Sequence, residues 1–520
     1  MGLRLAHRGD PPVPDPNDDT RPVLIGAGQL VQRDAAPGEA LEPLAMLEQV
    51  ARAAAEDAGV SEKVLRDLDT VALVNPPAWR AGNPARLLAE RIGSHPSREY
   101  TTAIGGEVGV SVANFLGERI AEGETRLALV AGCNNLRTFA KARQQGIELD
   151  WTVGGEGTPV KLGDDRPGNS KLERHYGFGT PPEIYPAFEN ALRAARGLDL
   201  ATHRARMGRL MSRFTEVAAA NPYAWFPTAR SPEEIVAATP QNRMVAFPYT
   251  KYLNAVLNTD QAAAFLMCSA GTARRLGIAP DRLVHWWGGA ARNEEAWFAS
   301  ERPSFAACPS MLDSGRAALN NAGVGIDEID FLDFYSCFPV AVEMAAHQLG
   351  LDEDDPRGFT VTGGLPYAGG PASAYCLHSI ACMADRLREK PGSKGFVTGN
   401  GWYLTKHSAS VWSNEPKPGG LPHARLPERL PSQSASMETT PVEIAVEAAG
   451  VGTVEAYTAL YDREGAPAKG IVLGRTEDGR RFLAHTPDDR ELLESFVAEE
   501  QVGSRGQLRF ADERNRFEPG

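Results

Sequence analysis

Two glycine-rich loops carry the backbone N–H groups of this sequence that are best suited to bind and polarise a ligand. They span residues 100–107 and 363–373, and a pattern that predicts a helix follows each loop directly. Glycine lets the backbone approach a ligand closely, and the start of a helix directs N–H groups toward negative charge. These loops are therefore candidates to polarise the carbonyl oxygen of a substrate through four residues, Gly105, Gly106, Gly369 and Gly370.

The composition excludes several classes of function. The chain has 520 residues, of which 42% are hydrophobic, and a net charge of −13, which argues against nucleic acid or an anionic membrane as the main partner. No apolar run approaches the roughly 18 residues of a membrane span, and the N-terminal segment lacks the apolar core of a signal peptide. The six cysteines form neither a Cys-x-x-Cys pair nor a zinc pattern. We expect a cytoplasmic protein with reduced thiols and no bound metal.

The order of predicted elements occurs twice along the chain. The tripeptides 58–60 and 322–324 end two matching helices, and each glycine loop is followed by a helix and then a strand. Two α/β halves that arose by duplication explain this order. The predicted organisation is a disordered lead at 1–21, an N-terminal half at 22–133 plus 245–275, an inserted loop domain at 134–244, a C-terminal half at 276–415, a linker at 416–431 and a C-terminal domain at 432–520.

The C-terminal domain has a different texture from the rest of the chain. A segment rich in Pro, Gly and Ser precedes it, and the domain itself consists of short alternating runs separated by glycine turns. This pattern predicts a small all-β domain, a five-stranded barrel of the OB type. The runs interpreted as strands are 442–448, 453–461, 470–476 and 480–486.

Five strings give the sequence a family resemblance. They are NRM at 242–244, FPYTKYLN at 247–254, DQAAA at 260–264, DFYSCFP at 333–339 and GNGWYLTKH at 399–407. With the duplicated halves and the glycine loops, they resemble the thiolase superfamily and its branch called thiolase-like protein type 1. That branch is commonly labelled acetyl-CoA acetyltransferase and has an additional C-terminal domain. The resemblance covers about residues 22–500 and implies a layered α-β-α-β-α core that binds a coenzyme A (CoA) thioester, with no covalently bound cofactor.

The resemblance also implies where catalytic groups belong. Thiolases use a nucleophilic cysteine at a helix start, a histidine that activates it, a second cysteine for proton transfer, and an Asn or His at the oxyanion site. These roles fall at Gly106, Gly370, a position near Val397, and Tyr335. None of the four residue types is retained. We therefore expect no acyl-enzyme at position 106.

Six side chains near these positions are candidates for the remaining chemistry. Tyr335 is the strongest, because a phenol can donate a proton or a hydrogen bond to an enolate. Aldolases of the superfamily that cleave steroid side chains are similar in using tyrosines, and they work beside an OB-fold partner. The alternative role for Tyr335 is to fill space. Five further candidates, each with a purely structural alternative, are Cys337, His378, His407, Glu107 and Tyr367, and Asn400 joins the loop glycines as a candidate for the oxyanion site.

The sequence leaves three functions open. The first is a thiolase-like acyltransferase homologue that binds a CoA thioester without the usual cysteine and histidine set. The second is a lyase that cleaves a carbon–carbon bond of an acyl-CoA by a retro-aldol or retro-Claisen step. The third is a non-catalytic CoA-ester binder or scaffold. All three have a small acyl-CoA as the partner, and the oligomeric state is a monomer or a homodimer.

Overall fold

The structure, a computed structural model, describes residues 19–419 and 440–520. Most of the predicted lead (1–21) and most of the predicted linker (416–431) lie outside the described residues. Within the described ranges, no helix combines the length and the apolar character that a membrane crossing requires.

The first elements follow the predicted order of strand and helix. Glu107 is the N-cap of α3, directly after Gly105 and Gly106 of the glycine loop, and α1 begins at Pro43, whose fixed φ suits a first helical turn. The elements are β1 (Pro22–Val31), α1 (Pro43–Asp57), β2 (Thr70–Val74), α2 (Pro84–Arg91), β3 (Arg98–Thr102), α3 (Val108–Ala121) and β4 (Leu127–Asn135).

The inserted segment is mainly helical. Its long helix α6 begins after Thr180, and its long helix α7 begins after Asp199. The Asp199 carboxylate accepts a hydrogen bond from the Thr202 amide, as is typical of a helix start. The elements are α4 (Leu136–Gln145), β5 (Val160–Leu162), α5 (Lys171–His175), α6 (Pro181–Ala195), α7 (Leu200–Ala220), α8 (Pro232–Val236), β6 (Met244–Ala246) and β7 (Tyr249–Thr250).

The chain then completes the first half and builds the second. The predicted helix at 375–387 is present and two residues longer at its C-terminal end. The elements are β8 (Asp260–Ser269), α9 (Ala270–Arg275), β9 (Val284–Asn293), α10 (Pro309–Ala322), β10 (Phe331–Asp333), α11 (Pro339–Gln348), α12 (Tyr375–Glu389), β11 (Lys394–Gly401) and β12 (Lys406–Ser413).

The sheet order confirms the layered, duplicated α/β core. The first half has the order β3-β2-β4-β8-β1, and the second has β10-β11-β12-β9, which is the same order without an equivalent of β3. In each half the last strand along the chain is antiparallel to both of its neighbours. A short antiparallel pairing of Val23 and Leu24 with His285 and Val284 joins the halves into one ten-stranded sheet.

Helices α3 and α12 form the layer between the two halves, and both follow a glycine loop. They approach closely because residue 109 is a glycine, at which a Cβ atom would lie 2.9 Å from Cys376 Cβ. Helix α1 covers the first half on its other face, and α10 covers the second. This arrangement brings the starts of α3 and α12, and therefore both glycine loops, to the junction of the halves.

The C-terminal domain is a closed five-stranded barrel, as predicted. Its first strand pairs with the second and the fourth, the third and fifth strands are parallel, and a helix lies between the third and fourth strands. The predicted strand 442–448 is wrong, because only Ile444 forms an isolated bridge, and two further strands complete the barrel. The elements are β13 (Gly450–Tyr461), β14 (Pro467–Thr476), β15 (Arg481–His485), α13 (Arg490–Ala498), β16 (Arg505–Ala511) and β17 (Arg514–Pro519).

Candidate active site at the junction of the two halves

The phenol of Tyr335 occupies the space that a side chain at position 106 would need. Tyr335 follows β10 by two residues, and Gly106 lies two residues before α3. A Cβ atom on Gly106 would lie 2.1 Å from Tyr335 Oη and 2.4 Å from the carbonyl oxygen of Asn400. The three residues therefore converge, although they are widely separated in the sequence, and glycine is the residue that fits at position 106.

The hydroxyl group of Tyr335 forms no hydrogen bond within the described part of the chain, although its backbone amide donates to Thr398 Oγ1 at 3.0 Å. The ring packs edge-on against Tyr375 with the centroids 5.4 Å apart. Burial raises the pKa of the phenol well above its usual value, and the neighbouring thiols of Cys337 and Cys376 act in the same direction. Tyr335 is therefore a neutral donor with a free hydroxyl group.

Asn400 connects this pair to the inserted segment. Its Nδ2 atom donates to the hydroxyl oxygen of Tyr185 at 2.9 Å and lies 3.7 Å from Cys337 Sγ. The Tyr185 hydroxyl in turn donates to the carbonyl oxygen of Trp402 at 2.8 Å, and its ring stacks on Phe338. The Asn400 Oδ1 atom is buried without a hydrogen-bond partner in the described residues. This oxygen is therefore an acceptor that is not engaged within the described residues.

Glu107 forms a buried ion pair with Lys406. The Lys406 Nζ atom lies 2.9 Å from Glu107 Oε1 and donates to the carbonyl oxygen of Ile104 at 2.7 Å. Ser408 Oγ donates to the backbone carbonyl of Glu107 at 2.8 Å. These contacts tie the loop before α3 to β12. They are the contacts expected if Glu107 is structural, and its Oε2 atom is without a hydrogen-bond partner in the described residues.

A small cavity lies beside this ion pair. Its volume is about 20 Å³, and Glu107, Ser111, Asn293 and His407 are among the side chains that line it. A volume of that size holds a single water molecule. A larger ligand enters only if the surrounding side chains move.

His407 contacts a cysteine that the sequence analysis did not single out. Its Nε2 atom lies 3.1 Å from Cys308 Sγ, and that sulfur lies 3.3 Å from Glu294 Oε1. Burial lowers the pKa of His407 to about 4 and raises that of the Cys308 thiol well above its usual value. Both groups are therefore neutral near pH 7, which fits a packed polar cluster.

His378 and Gly369 lie at a separate cavity of about 10 Å³. His378 Nδ1 is 2.8 Å from Gln29 Oε1, and burial lowers the pKa of this histidine to about 4. Gly369 has a φ of 101°, and a Cβ atom there would lie 2.2 Å from Gln261 Oε1. Glycine is thus required at this turn, but the turn belongs to a different group of residues from the one around Gly106.

The amides proposed for an oxyanion site are partly engaged. Gly370 N–H donates to the carbonyl oxygen of Val256 at 2.9 Å, and Gly105 N–H donates to Ser373 Oγ at 3.2 Å. Tyr367 is buried, its hydroxyl lacks a hydrogen-bond partner in the described residues, and burial raises its pKa. Of the four candidate loop glycines, Gly106 is the one that lies against Tyr335 and Asn400.

Comparisons with known proteins agree with this architecture. Residues 430–513 match the family described as the thiolase-like protein type 1 additional C-terminal domain. A solved structure of a monomeric SCP2-thiolase like protein type 1 (STLP1) from Mycobacterium smegmatis is 32% identical, covers 97% of this chain and 100% of that chain, and superposes with a TM-score of 0.81. This chain belongs to the thiolase-like protein type 1 family. No curated protein matches it.

More distant structures share the fold of this thiolase-like protein. Acetyl-CoA acetyltransferase from Syntrophomonas wolfei is 16% identical, covering 76% of this chain and 100% of that chain with a TM-score of 0.57. The dimeric peroxisomal thiolase of Saccharomyces cerevisiae is 13% identical, covering 76% and 98% with a TM-score of 0.55. The structure titled Ltp2-ChsH2(DUF35) aldolase is 16% identical, with the same coverage and TM-score of 0.55.

The site of this thiolase-like protein also contains residues that the sequence did not reveal. Tyr185 comes from the inserted segment, where no pattern distinguishes it from the other buried aromatic residues of α6. Cys376 Sγ lies 3.0 Å from the carbonyl oxygen of Gly106, and burial raises the pKa of its thiol well above its usual value. Lys406 lies within the string at 399–407, and its position as the one residue of that string charged at pH 7 was the available signal.

Proposed function

We propose that this protein binds a CoA thioester at the junction of the two halves and acts on it without a cysteine nucleophile. The observation that carries this proposal is the position of Tyr335, whose hydroxyl takes the space of a side chain at position 106. A thiolate at that position is excluded while Tyr335 stays in place. The related acetyl-CoA acetyltransferase and thiolase share the fold and supply the substrate class.

The state of the cysteines supports the proposal. Cys382 is half-buried, and the other five cysteines are buried. Burial raises the pKa of every one of the six thiols, to about 12 for Cys268, Cys337 and Cys382. Because the thiolate is the nucleophilic form, none of them is activated at neutral pH.

Tyr335 favours a second and more specific function, the cleavage of a carbon–carbon bond in a β-hydroxyacyl-CoA. In such a retro-aldol step the hydroxyl group of the substrate gives its proton to solvent water and becomes a carbonyl, the bond between the α and β carbons breaks, and the electron pair forms the thioester enolate. The solvent then returns one proton to the group that protonates the enolate, so the step is balanced. Tyr335, a neutral phenol without a hydrogen-bond partner, would protonate that enolate. The shared fold of the Ltp2-ChsH2(DUF35) aldolase and the fused barrel of this chain are consistent with this class of reaction.

The test measures binding and turnover separately. Purified protein is titrated with a panel of acyl-CoA and β-hydroxyacyl-CoA esters by calorimetry, and the loss of each ester is followed by chromatography. We expect binding of at least one ester. For the ester that is consumed, Tyr335→Phe should lower turnover by roughly 100-fold or more with nearly unchanged affinity. The matched control is Tyr457→Phe, which removes a buried hydroxyl group in the barrel.

Two results would overturn parts of the proposal. No binding of any ester would refute the CoA-thioester function. Binding without consumption of any ester would leave a CoA-ester binder and refute the catalytic role of Tyr335. If the monomeric state of the Mycobacterium smegmatis protein also holds here, one chain suffices for either activity.

A further inference from the structure

Two carboxylates and an imidazole meet where α6 and α7 of the inserted segment pack against α11 of the C-terminal half. Glu189 lies on α6, His203 on α7 and Glu343 on α11, and all three side chains are buried, with exposures of 0%, 1% and 0%. One ligand atom from each lies within 4.8 Å of the others. His203 Nε2 is 2.7 Å from Glu189 Oε1 and 3.9 Å from Glu343 Oε2.

The hydrogen bonding of this cluster is incomplete. Both carboxylate oxygens of Glu343 and the Nδ1 atom of His203 are buried without a hydrogen-bond partner in the described residues. Arg196 Nη1 lies 3.7 Å from Glu343 Oε2 and also forms an ion pair with Glu353. Arg206 forms a second ion pair with Glu353. Buried carboxylate oxygens without partners are costly, and a positive group bound between the three side chains would satisfy them.

We propose that Glu189, His203 and Glu343 form a binding site for a divalent transition-metal ion such as Zn²⁺. Zinc is bound at about 2.0–2.2 Å by imidazole nitrogen and carboxylate oxygen, which sets neighbouring ligand atoms roughly 3.3 Å apart in a tetrahedron. The observed separations of 2.7 and 3.9 Å lie on either side of that value. Small side-chain rotations would therefore complete the coordination, and a water molecule would supply a fourth ligand.

The surroundings provide support and access for the ion. The hydroxyl group of Tyr249 donates to Glu189 Oε2, the oxygen that does not face His203, and thereby orients the carboxylate. An open cavity of about 550 Å³ between α7 and the barrel has His203 in its wall and offers a path of entry.

The site would stiffen the region that holds Tyr185. Glu189 follows Tyr185 by one helical turn on α6, and Phe338, directly before α11, stacks on the rings of both Tyr185 and Tyr249. An ion that links α6, α7 and α11 therefore fixes the helices from which Tyr185 reaches Asn400. The role assigned to the ion is structural.

The first experiment uses the full chain after treatment with a chelator. Calorimetric titration with ZnCl₂ should show one ion per chain, and the melting temperature should rise with Zn²⁺. His203→Gln and Glu343→Gln should each weaken binding by about 100-fold or more, beyond the 10–100-fold typical of residues that only orient a ligand. His285→Gln, which changes a buried histidine outside the cluster, should bind Zn²⁺ like the wild type.

The second experiment does not depend on variants that fold. X-ray absorption of the zinc complex of the wild-type protein should show nitrogen and oxygen donors at about 2.0–2.1 Å, including one imidazole, and no sulfur. Absence of Zn²⁺ uptake by the wild type, unchanged affinity in both cluster variants, or sulfur in the coordination shell would each overturn the proposal. Sulfur would move the site to the Cys308–His407 contact.

Discussion

The hydroxyl group of Tyr335 lies so close to the backbone of Gly106 that no side chain fits at position 106 while Tyr335 stays in place. The 2.1 Å that would separate a Cβ atom from the phenol oxygen is far below any normal contact, and the Asn400 carbonyl closes the space from another direction. Residues 106 and 335 thus form one steric unit, and the identity of one limits the identity of the other.

This unit predicts a specific double-mutant cycle. Gly106→Ala should lower the free energy of unfolding by about 1–3 kcal/mol, the usual cost of overpacking. In the background of Tyr335→Ala the same change should cost less, because the phenol is gone, although the Asn400 carbonyl remains. Denaturant unfolding of the four proteins measures the coupling. Additive effects would show that the two residues do not compete for space.

Breaking the buried ion pair should be more damaging than removing it. Lys406→Met leaves the Glu107 carboxylate buried without its partner at 2.9 Å, and should destabilise the protein by about 3–5 kcal/mol. Adding Glu107→Gln to that variant should restore part of the loss. Unfolding by denaturant compares the variants. A double variant that is less stable than Lys406→Met would contradict the structural role assigned to Glu107.

Cysteine reactivity should follow exposure. Under native conditions iodoacetamide should modify Cys382 first, because it is the half-buried cysteine of the chain, and the remaining thiols should react slowly. Incubation with acetyl-CoA should give no stable acyl-cysteine. Peptide mass spectrometry identifies the modified cysteines in both experiments. Stoichiometric acetylation of Cys337, which lies near Asn400, would instead identify it as a nucleophile.

Three buried histidines should make the fold sensitive to acid. Burial lowers the pKa of His285, His378 and His407 from 6.5 to about 4. Between these values the unfolded chain binds more protons than the folded one, so their contribution to stability is full above pH 6.5 and is lost as the pH falls toward 4. Each histidine should contribute a slope of up to about 1.4 kcal/mol per pH unit.

A single substitution isolates this effect. His285→Gln should reduce the pH dependence of the free energy of unfolding between pH 6.5 and 4, while the slopes from His378 and His407 remain. Urea titrations over that range, with wild type and variant side by side, cancel the contributions of the other groups. Parallel curves for the two proteins would contradict a lowered pKa at His285.

The fold was largely predictable because its signals are local or repeated. The two glycine loops and the matching helix ends indicated the duplication, and the observed strand orders of the two halves agree with it. The barrel was predicted in type but not in every strand. In strands β16 and β17 the arginines occupy the more exposed alternate positions, but the buried positions include Gly506 and Asn515, so the apolar half of the alternation that marks a strand is weak.

The site was predictable only in part, because its contacts join distant parts of the chain. The family resemblance assigned Gly106 and Tyr335 to two positions that carry catalytic residues in thiolases. The structure brings these two residues together with Asn400. The pairing of Glu107 with Lys406 and the hydrogen bond from Asn400 to Tyr185 connect residues far apart in sequence. Neither leaves a periodic pattern, so tertiary packing alone reveals them.

The contact between positions 106 and 335 also sets the order in which mutations can accumulate. A cysteine introduced at 106 first would meet the phenol, whereas a smaller residue at 335 removes that obstruction and leaves the Asn400 carbonyl as the remaining one. By this steric argument, a lineage that passes between a cysteine-based enzyme and a protein like this one goes through an intermediate without the cysteine at 106 and without the tyrosine at 335. That intermediate has neither group, and it survives selection only where the protein is useful without the original reaction.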